Sequence, residues 1–291
     1  MIKLFVSDLD GTLLNGKHVV SPENAQAIRD LEAAGIEFLV ATGRSYNSAA
    51  PLLEMHGLSP KMITLNGATF IETDGSIRYT HTLDTSEIKD ILMYAVEHNL
   101  EYSIMTPEDY YLANYEEFIE RIAKHVEEAK AEMDEDDPDY DDTTSTSQFL
   151  VDTSYVHDIS EYDPNMELPI CKIMILSSDE TAKEEFLNTF DENPNIDITS
   201  SSPDNLEITN IKAQKGLALE EYAIEQGYTL NEIVTIGDSL NDRSMLQMAT
   251  YSFAMENASP QVKSLTNYEA PHHNENGVAK VIADVISGKY N

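Results

Sequence analysis

Asp8 and Asp10 stand directly behind the apolar run KLFV in MIKLFVSDLDGTLL, and three further segments offer groups that complement them. The four are DLDGT (Asp8, Asp10, Thr12), ATGR (Thr42, Gly43, Arg44), KG (Lys215, Gly216) and GDSLND (Gly237, Asp238, Asn241, Asp242). In one crevice, Asp8, Asp10, Asp238 and Asp242 would repel one another strongly unless a hard dication sat among them. Mg2+ takes oxygen ligands while keeping several waters, so magnesium explains such a cluster. The Thr42 hydroxyl, neighbouring backbone N–H groups and the Lys215 ammonium then suit the remaining oxygens of a phosphoryl group, where they stabilise charge as it moves. Singly these signals are weak, because an acidic turn after a strand is common and Asp or Asn in GD and ND usually bonds its own backbone. The eight histidines are scattered, and His272-His273 lies in a polar loop without paired carboxylate or cysteine spacing, so a zinc site is not expected.

The flanking segments must place these groups together. KLFV reads as a buried strand and Gly11 permits a sharp turn, which puts both acids at a strand's carboxyl end, the edge where parallel α/β sheets bind ligands. SPENAQAIRDLEAAG offers Ser21 as N-cap, Pro22 at the first helical position and Gly35 as a stop, between the strands KLFV and IEFLV. A helix around Tyr46 to Met55 leads to the strand KMITL, and TFIETDGSIRYT reads as a hairpin about Asp74-Gly75. Near the other end KGLALEEYAIEQG, EIVTIG, NDRSMLQMA, YSFAM, SPQVKSL and ENGVAKVIADVIS repeat the alternation of helix and strand. The two ends, residues 1–82 and 211–291, read as one doubly wound parallel α/β domain.

Between them, residues 83–210 have the texture of an inserted α+β domain, with helices expected at Ser86–His98 and Tyr115–Ala131 and strands in EYSIMT, CKIMIL and LEIT. Within the insert, Glu127 to Asp142 sets ten acids against one lysine, a block expected to be a solvated excursion peripheral to any site. No internal repeat is visible.

Composition narrows the function classes. The 291 residues are 41% apolar and 24% charged, as in ordinary globular proteins, and no apolar run approaches the roughly 18 residues that span a bilayer. A formal net charge of −35 disfavours nucleic acid and anionic membranes as partners. The lone cysteine, Cys171, forms no internal disulfide, and the N-terminus lacks a basic stretch before an apolar one; both favour the cytoplasm.

In their order and setting the motifs resemble those of the haloacid-dehalogenase-like phosphatases, specifically the Cof-type subfamily, in which a C2 (type IIB) cap is inserted between the second and third motifs. The resemblance spans nearly the whole chain and implies a Rossmann-like α/β core, here with residues 83–210 as cap. It implies Asp8 as nucleophile and Asp10 as general acid and base, with Thr42, Gly43, Lys215 and Asn241 holding the phosphate. It ranks Lys215, which precedes a glycine and a helix, above Lys212. Arg44, and Asn66 in LNGA, would contact substrate or cap. Mg2+ would be bound by Asp8, Asp10 through its main-chain carbonyl, and Asp238, with Asp242 behind these ligands or acting through water. The implied reaction is Mg-dependent hydrolysis of a small phosphorylated metabolite through an aspartyl-phosphate, by a monomer or weak homo-oligomer whose cap holds no catalytic acid. A phosphomannomutase-like phosphotransferase and a non-catalytic receiver-like protein are the alternatives. Two positions depart from the pattern: AMENA places Glu256 where a glycine is usual, at the expected rim of the site, and Arg243 follows the fourth motif where an apolar residue is commoner.

Overall fold

The computed structural model describes residues 1–116, 120, 154–163 and 167–290, and its strands form two sheets. The first sheet contains β1 (Leu4–Ser7), β2 (Glu37–Ala41), β3 (Lys61–Thr64), β4 (Thr69–Ile71), β5 (Ile77–Thr80), β12 (Ile233–Gly237), β13 (Tyr251–Met255) and β14 (Tyr268–Ala270). Their order is β14-β13-β12-β1-β2-β3-β4-β5, parallel from β14 to β3 and closed at one edge by the antiparallel β4 and β5. The chain winds outward from β1 to β3 in one direction and from β12 to β14 in the other. The carboxyl ends of β1 and β12 are therefore neighbours at the point where the winding reverses, which in open α/β sheets opens a crevice.

Both faces of this sheet are covered, so its central strands are largely apolar. Phe5, Phe38, Val40, Val234 and Phe253 pack on one side against α1 (Pro22–Ala33), α2 (Tyr46–Glu54) and α8 (Gly277–Ile286). Leu4, Val6, Leu39, Ile63 and Ile233 pack on the other against α5 (Lys215–Gln226), α6 (Arg243–Met248) and α7 (Pro260–Lys263). Burying one such side chain contributes roughly 1.5–3 kcal/mol before entropy is counted. The punctuation follows the local chemistry. Ser21 Oγ accepts from the Asn24 N–H at 3.1 Å to cap α1, and Gly35 leaves the helix at φ +80°. Gly75 turns the β4–β5 hairpin at φ +81°, beside an Asp74 carboxylate that accepts from the Ser76 N–H at 3.0 Å.

The second sheet is the cap. It contains β6 (Glu101–Met105), β7 (Tyr110–Leu112), β8 (Val156–Asp158), β9 (Lys172–Leu176), β10 (Ile196–Thr199) and β11 (Asn205–Asn210), ordered β10-β11-β9-β6-β7-β8, with β7 and β8 parallel and the other neighbours among the described residues antiparallel. Alternation along the strands gives it two unlike faces. Ile104, Ile173, Ile175, Leu206 and Ile208 pack against α3 (Thr85–Glu97) and α4 (Glu180–Phe190), where Ile91, Ala95, Phe186 and Phe190 complete a separate apolar core. In register with one another on the opposite face stand Lys172 and Thr209, Met174 and Glu207. Cys171 is buried immediately before β9, and burial pushes its thiol up to about 12. Beyond Glu116 the helix expected to Ala131 lies outside the described residues except at Glu120, and the acidic stretch Glu127–Asp142 lies wholly outside them.

Candidate active site

Asp8 follows β1 and is tied to the neighbouring strand by its N–H, which donates to the Ile236 carbonyl at 3.0 Å. A kinked turn, Leu9–Leu13, then carries the chain away, and Gly11 adopts φ +75° within it. Gly11 must lack a Cβ on a second count, because one would run into the Asp238 carboxylate. Thr12 Oγ1 donates to Asp238 Oδ1 at 3.0 Å from the same turn. Asp238 follows β12, and Asp242 closes the loop behind it: its Oδ2 accepts from the N–H groups of Asp238 at 2.9 Å and Ser239 at 3.1 Å. Lys215, first residue of α5, is fully buried and bridges the two loops, with Nζ 2.7 Å from Asp8 Oδ1 and 2.6 Å from Asp242 Oδ1. Gly216 brings α5 against α6, and its N–H donates to Ser244 Oγ at 2.9 Å.

Oxygen atoms of Asp8, Asp238 and Asp242 lie within 4.8 Å of one another. Burial, and then Asp242 alongside, raise the Asp8 carboxyl well above the ordinary range, with Lys215 pulling the other way. Burial followed by Asp242 pushes Asp238 up to about 7. Burial also disfavours the Lys215 cation, but Asp242 and Asp8 outweigh it and hold the ammonium charged. The cluster thus carries more negative charge than its lysine offsets, on oxygen donors alone. That is the donor chemistry of a hard dication such as Mg2+, and these residues fit one.

Asp10 is turned out of this cluster. Its side chain is 43% exposed and Arg44 clamps it with two bonds, Nε to Oδ2 at 2.7 Å and Nη2 to Oδ1 at 2.6 Å. Burial would raise its carboxyl, yet the Arg44 bonds and nearby His18 hold it well below the usual range. Thr42 extends β2; its Oγ1 accepts from the Arg44 N–H at 3.1 Å. Asn66 sits in a left-handed turn at φ +59° after β3, and its N–H donates to the Thr42 carbonyl at 3.0 Å. Gly43 is crowded by the side chains of Asn66, Asn241 and Lys172.

The structure therefore gathers Asp8, Asp238, Asp242 and Lys215 at one point and sets Thr42, Gly43, Asn66 and Asn241 beside each other. It pairs Asp10 with Arg44 and leaves Lys212 exposed. Glu256 is exposed, and its Oε2 accepts from the His272 N–H at 3.2 Å, while Asn257 next to it donates to the Gly11 carbonyl at 2.8 Å. His273 Nδ1 lies 2.8 Å from the Leu14 carbonyl, outside the acidic cluster. Arg243 lines a small cleft between core and cap together with Asn66, Asp197, Thr199, Gln214 and Asn241. Burial raises the Asp197 carboxyl there, and Arg243 opposes the shift.

Two residues of the cap reach this site without any motif to announce them. Lys172 Nζ donates to the Gly43 carbonyl at 2.7 Å, and Glu207 Oε2 accepts from Asn66 Nδ2 at 2.7 Å. The signal in the sequence is slight: one charged residue in each of two otherwise strand-like segments, CKIMIL and NLEIT.

Residues 5–282 match the model of the haloacid dehalogenase-like hydrolases. The chain is 30% identical over 287 residues to phosphatase YwpJ of Bacillus subtilis, covering 98% of this chain and 100% of that one. It is 29% identical to 5-amino-6-(5-phospho-D-ribitylamino)uracil phosphatase YcsE of the same organism, over 97% of this chain and 94% of the relative. Among solved structures, a haloacid dehalogenase-like hydrolase from B. subtilis superposes with a TM-score of 0.81 at 29% identity, over 97% of this chain and 99% of the other. The subclass IIB sugar phosphatase BT4131 shares the fold, with a TM-score of 0.76 at 20% identity over 97% of this chain and 98% of its own. Among the described residues no helix is long and apolar enough to cross a membrane.

Proposed function

Because the chain belongs to the haloacid dehalogenase-like hydrolase family, we propose that its crevice hydrolyses small phosphate monoesters through an aspartyl-phosphate on Asp8. The observation that carries this reading is the placement of Asp8 at the carboxyl end of β1, bridged by the buried Lys215 to Asp242 and facing Asp238 at the end of β12. An Asp8 oxygen attacks phosphorus, the bond from phosphorus to the ester oxygen breaks, and Asp10 protonates the departing alcohol. A water then attacks the acyl phosphate and loses its proton to Asp10. The bond between phosphorus and Asp8 breaks, returning the carboxylate and releasing inorganic phosphate.

Asp8, Asp238 and the main-chain carbonyl of Asp10, with Asp242 behind them or acting through water, would hold Mg2+, whose charge would keep the acids ionised and draw on the phosphoryl oxygens. The Thr42 hydroxyl, the Gly43 N–H and Lys215 hold the remaining phosphoryl oxygens, with Asn241 beside them, and Arg44 and Asn66 border the leaving group. Arg44 keeps Asp10 ionised, the form that takes a proton in the second step. The first step needs the protonated form, so Arg44 must leave Asp10, and the phosphoryl group is the anion that competes for it.

Curated relatives named for a phosphate ester on a ribityl chain support a polyol or sugar phosphate as the substrate class. The reading is of a cytoplasmic enzyme, monomeric or weakly self-associating, acting on a small phosphorylated metabolite. The purified protein assayed with Mg2+ against a panel of monoesters tests it: release of inorganic phosphate from sugar or polyol phosphates is the expected result. Transfer to a second sugar in place of water, or a stable phosphoenzyme with no release, overturns it.

A further inference from the structure

Lys172 opens β9 and Glu207 lies in β11, the strand beside it, with both side chains on the polar face of the cap sheet. Their side chains are 2% and 4% exposed and 3.2 Å apart. A charged pair so buried is tolerated only when its remaining donors and acceptors are satisfied. Here the partners come largely from the core. Lys172 Nζ donates to the Gly43 carbonyl at 2.7 Å. Glu207 Oε2 accepts from Asn66 Nδ2 at 2.7 Å and Asn241 Nδ2 at 3.5 Å, and Oε1 accepts from Ser201 Oγ, within the cap, at 3.0 Å. Gly43 follows β2, Asn66 follows β3 and Asn241 follows β12, so one ion pair touches three of the loops that frame the crevice.

The direction of these bonds matters. With Lys172 lowering its pKa against the effect of burial, Glu207 is a carboxylate and can only accept, so both amides must turn their NH2 groups toward it. Asn66 Oδ1 is then free to accept from Asn241 Nδ2 at 3.3 Å. Asn241 Oδ1 is left as a buried acceptor with no partner among the described residues. A carboxylate of the cap thus sets the orientation of two core amides beside the phosphoryl site.

We propose that Lys172 and Glu207 are positioning residues. Docked as a unit when the cap lies on the core, they hold the Gly43 loop and the Asn66 and Asn241 amides in the arrangement that phosphoryl transfer needs. Neither touches the reacting atoms, and the inference rests on the phosphatase reading.

The double variant Lys172→Met with Glu207→Gln removes both charges at nearly constant volume, and neutralising a buried pair together avoids stranding one charge. The full-length variant, assayed with Mg2+, is compared with wild type in Tm and in kcat and KM for p-nitrophenyl phosphate and for a polyol phosphate. The expected result is a folded protein whose kcat falls at least about tenfold on both esters while KM changes less than about threefold. A folded variant with kcat within about twofold of wild type overturns the inference, as does a loss confined to the polyol ester, which would make the pair a contact to the leaving group. If the double variant does not fold, Glu207→Gln alone, which keeps one acceptor oxygen and the Lys172 bond to Gly43, is judged by the same two criteria. Wild type inactive on both esters would bring down the phosphatase reading and this inference together; wild type active beside an unimpaired variant brings down the inference alone.

Discussion

Along β1 in the core sheet every side chain from Leu4 to Ser7 is buried, and the chemistry begins only at Asp8, one residue past the strand. Along β9 in the cap sheet the group that reaches the site, Lys172, lies in the strand itself, with Ile173 and Ile175 facing the other way. The difference follows from what covers each sheet. A parallel sheet with helices on both faces has little room for a charge in mid-strand: Glu37 and Lys61 open β2 and β3 at their amino ends and pair with each other at 2.7 Å, and the groups of the crevice collect past the carboxyl ends, where loops and helix starts converge. A mainly antiparallel sheet packed by helices on one face leaves the other to meet a partner surface, and polar residues at every second position can project there. The core therefore concentrates chemistry at fixed points, while the cap distributes its contacts over strand positions that can be changed one at a time.

If that division holds, substitutions at the core strand ends cost most. Asp8→Asn removes the proposed nucleophile and is expected to lower kcat by at least about a thousandfold with the fold intact by circular dichroism. Turnover at a tenth of wild type would sink the assignment. Asp10→Asn removes the proposed proton donor and is expected to cost about 10²–10⁴ on alkyl phosphates but much less on p-nitrophenyl phosphate, whose leaving group needs little protonation. Equal losses on both esters would count against an acid role. Lys215→Met is expected to cost roughly 2.7–4 kcal/mol of transition-state stabilisation, as loss of one preorganised donor does, and Lys212→Met to change little. The reverse ranking in kcat/KM would place the cation of the site at Lys212.

The same contrast decides what was legible in the sequence. DLDGT, ATGR, KG and GDSLND could be read because each combines several informative residues with the turn or helix start that a strand end requires, and Ser21-Pro22 and Asp74-Gly75 mark their helix and hairpin by local backbone chemistry alone. Lys172 and Glu207 could not be read this way. Each is a single charge in a strand, and only the register of β9 against β11 puts them on one face. The Arg44 clamp on Asp10 was equally hidden, since 34 positions separate the two and it is the pairing of β1 with β2 that brings their loops together.

A smaller effect, read in stability, separates the core cluster from the cap. Asp8 and Asp238 have carboxyls raised above their unfolded values, Asp238 to about 7. A raised carboxyl favours the folded state at pH below the unfolded value and loses that contribution as pH rises through the folded one. The metal-free protein is thus expected to lose Tm as pH rises through about 7, and Mg2+ to restore it more above that pH than below. A Mg2+ stabilisation that is the same on both sides would show that the cluster does not bind the ion.

The smallest effect is expected from the most highly charged stretch of the insert. Glu127 to Asp142 carries ten acids, and such a density at the entrance would repel a dianionic phosphate ester on approach. A protein that must admit an anion past its own net charge of −35 gains by keeping that block away from the path. Cap residues that serve the reaction should instead be those, like Lys172 and Glu207, whose charges are paired and turned to the core. Replacing Glu132 to Asp142 with a short Gly-Ser linker is therefore expected to leave turnover of p-nitrophenyl phosphate within about threefold of wild type, roughly 0.65 kcal/mol of barrier. A folded variant that loses a hundredfold in kcat/KM would place the acidic stretch in the site and overturn its reading as a peripheral excursion.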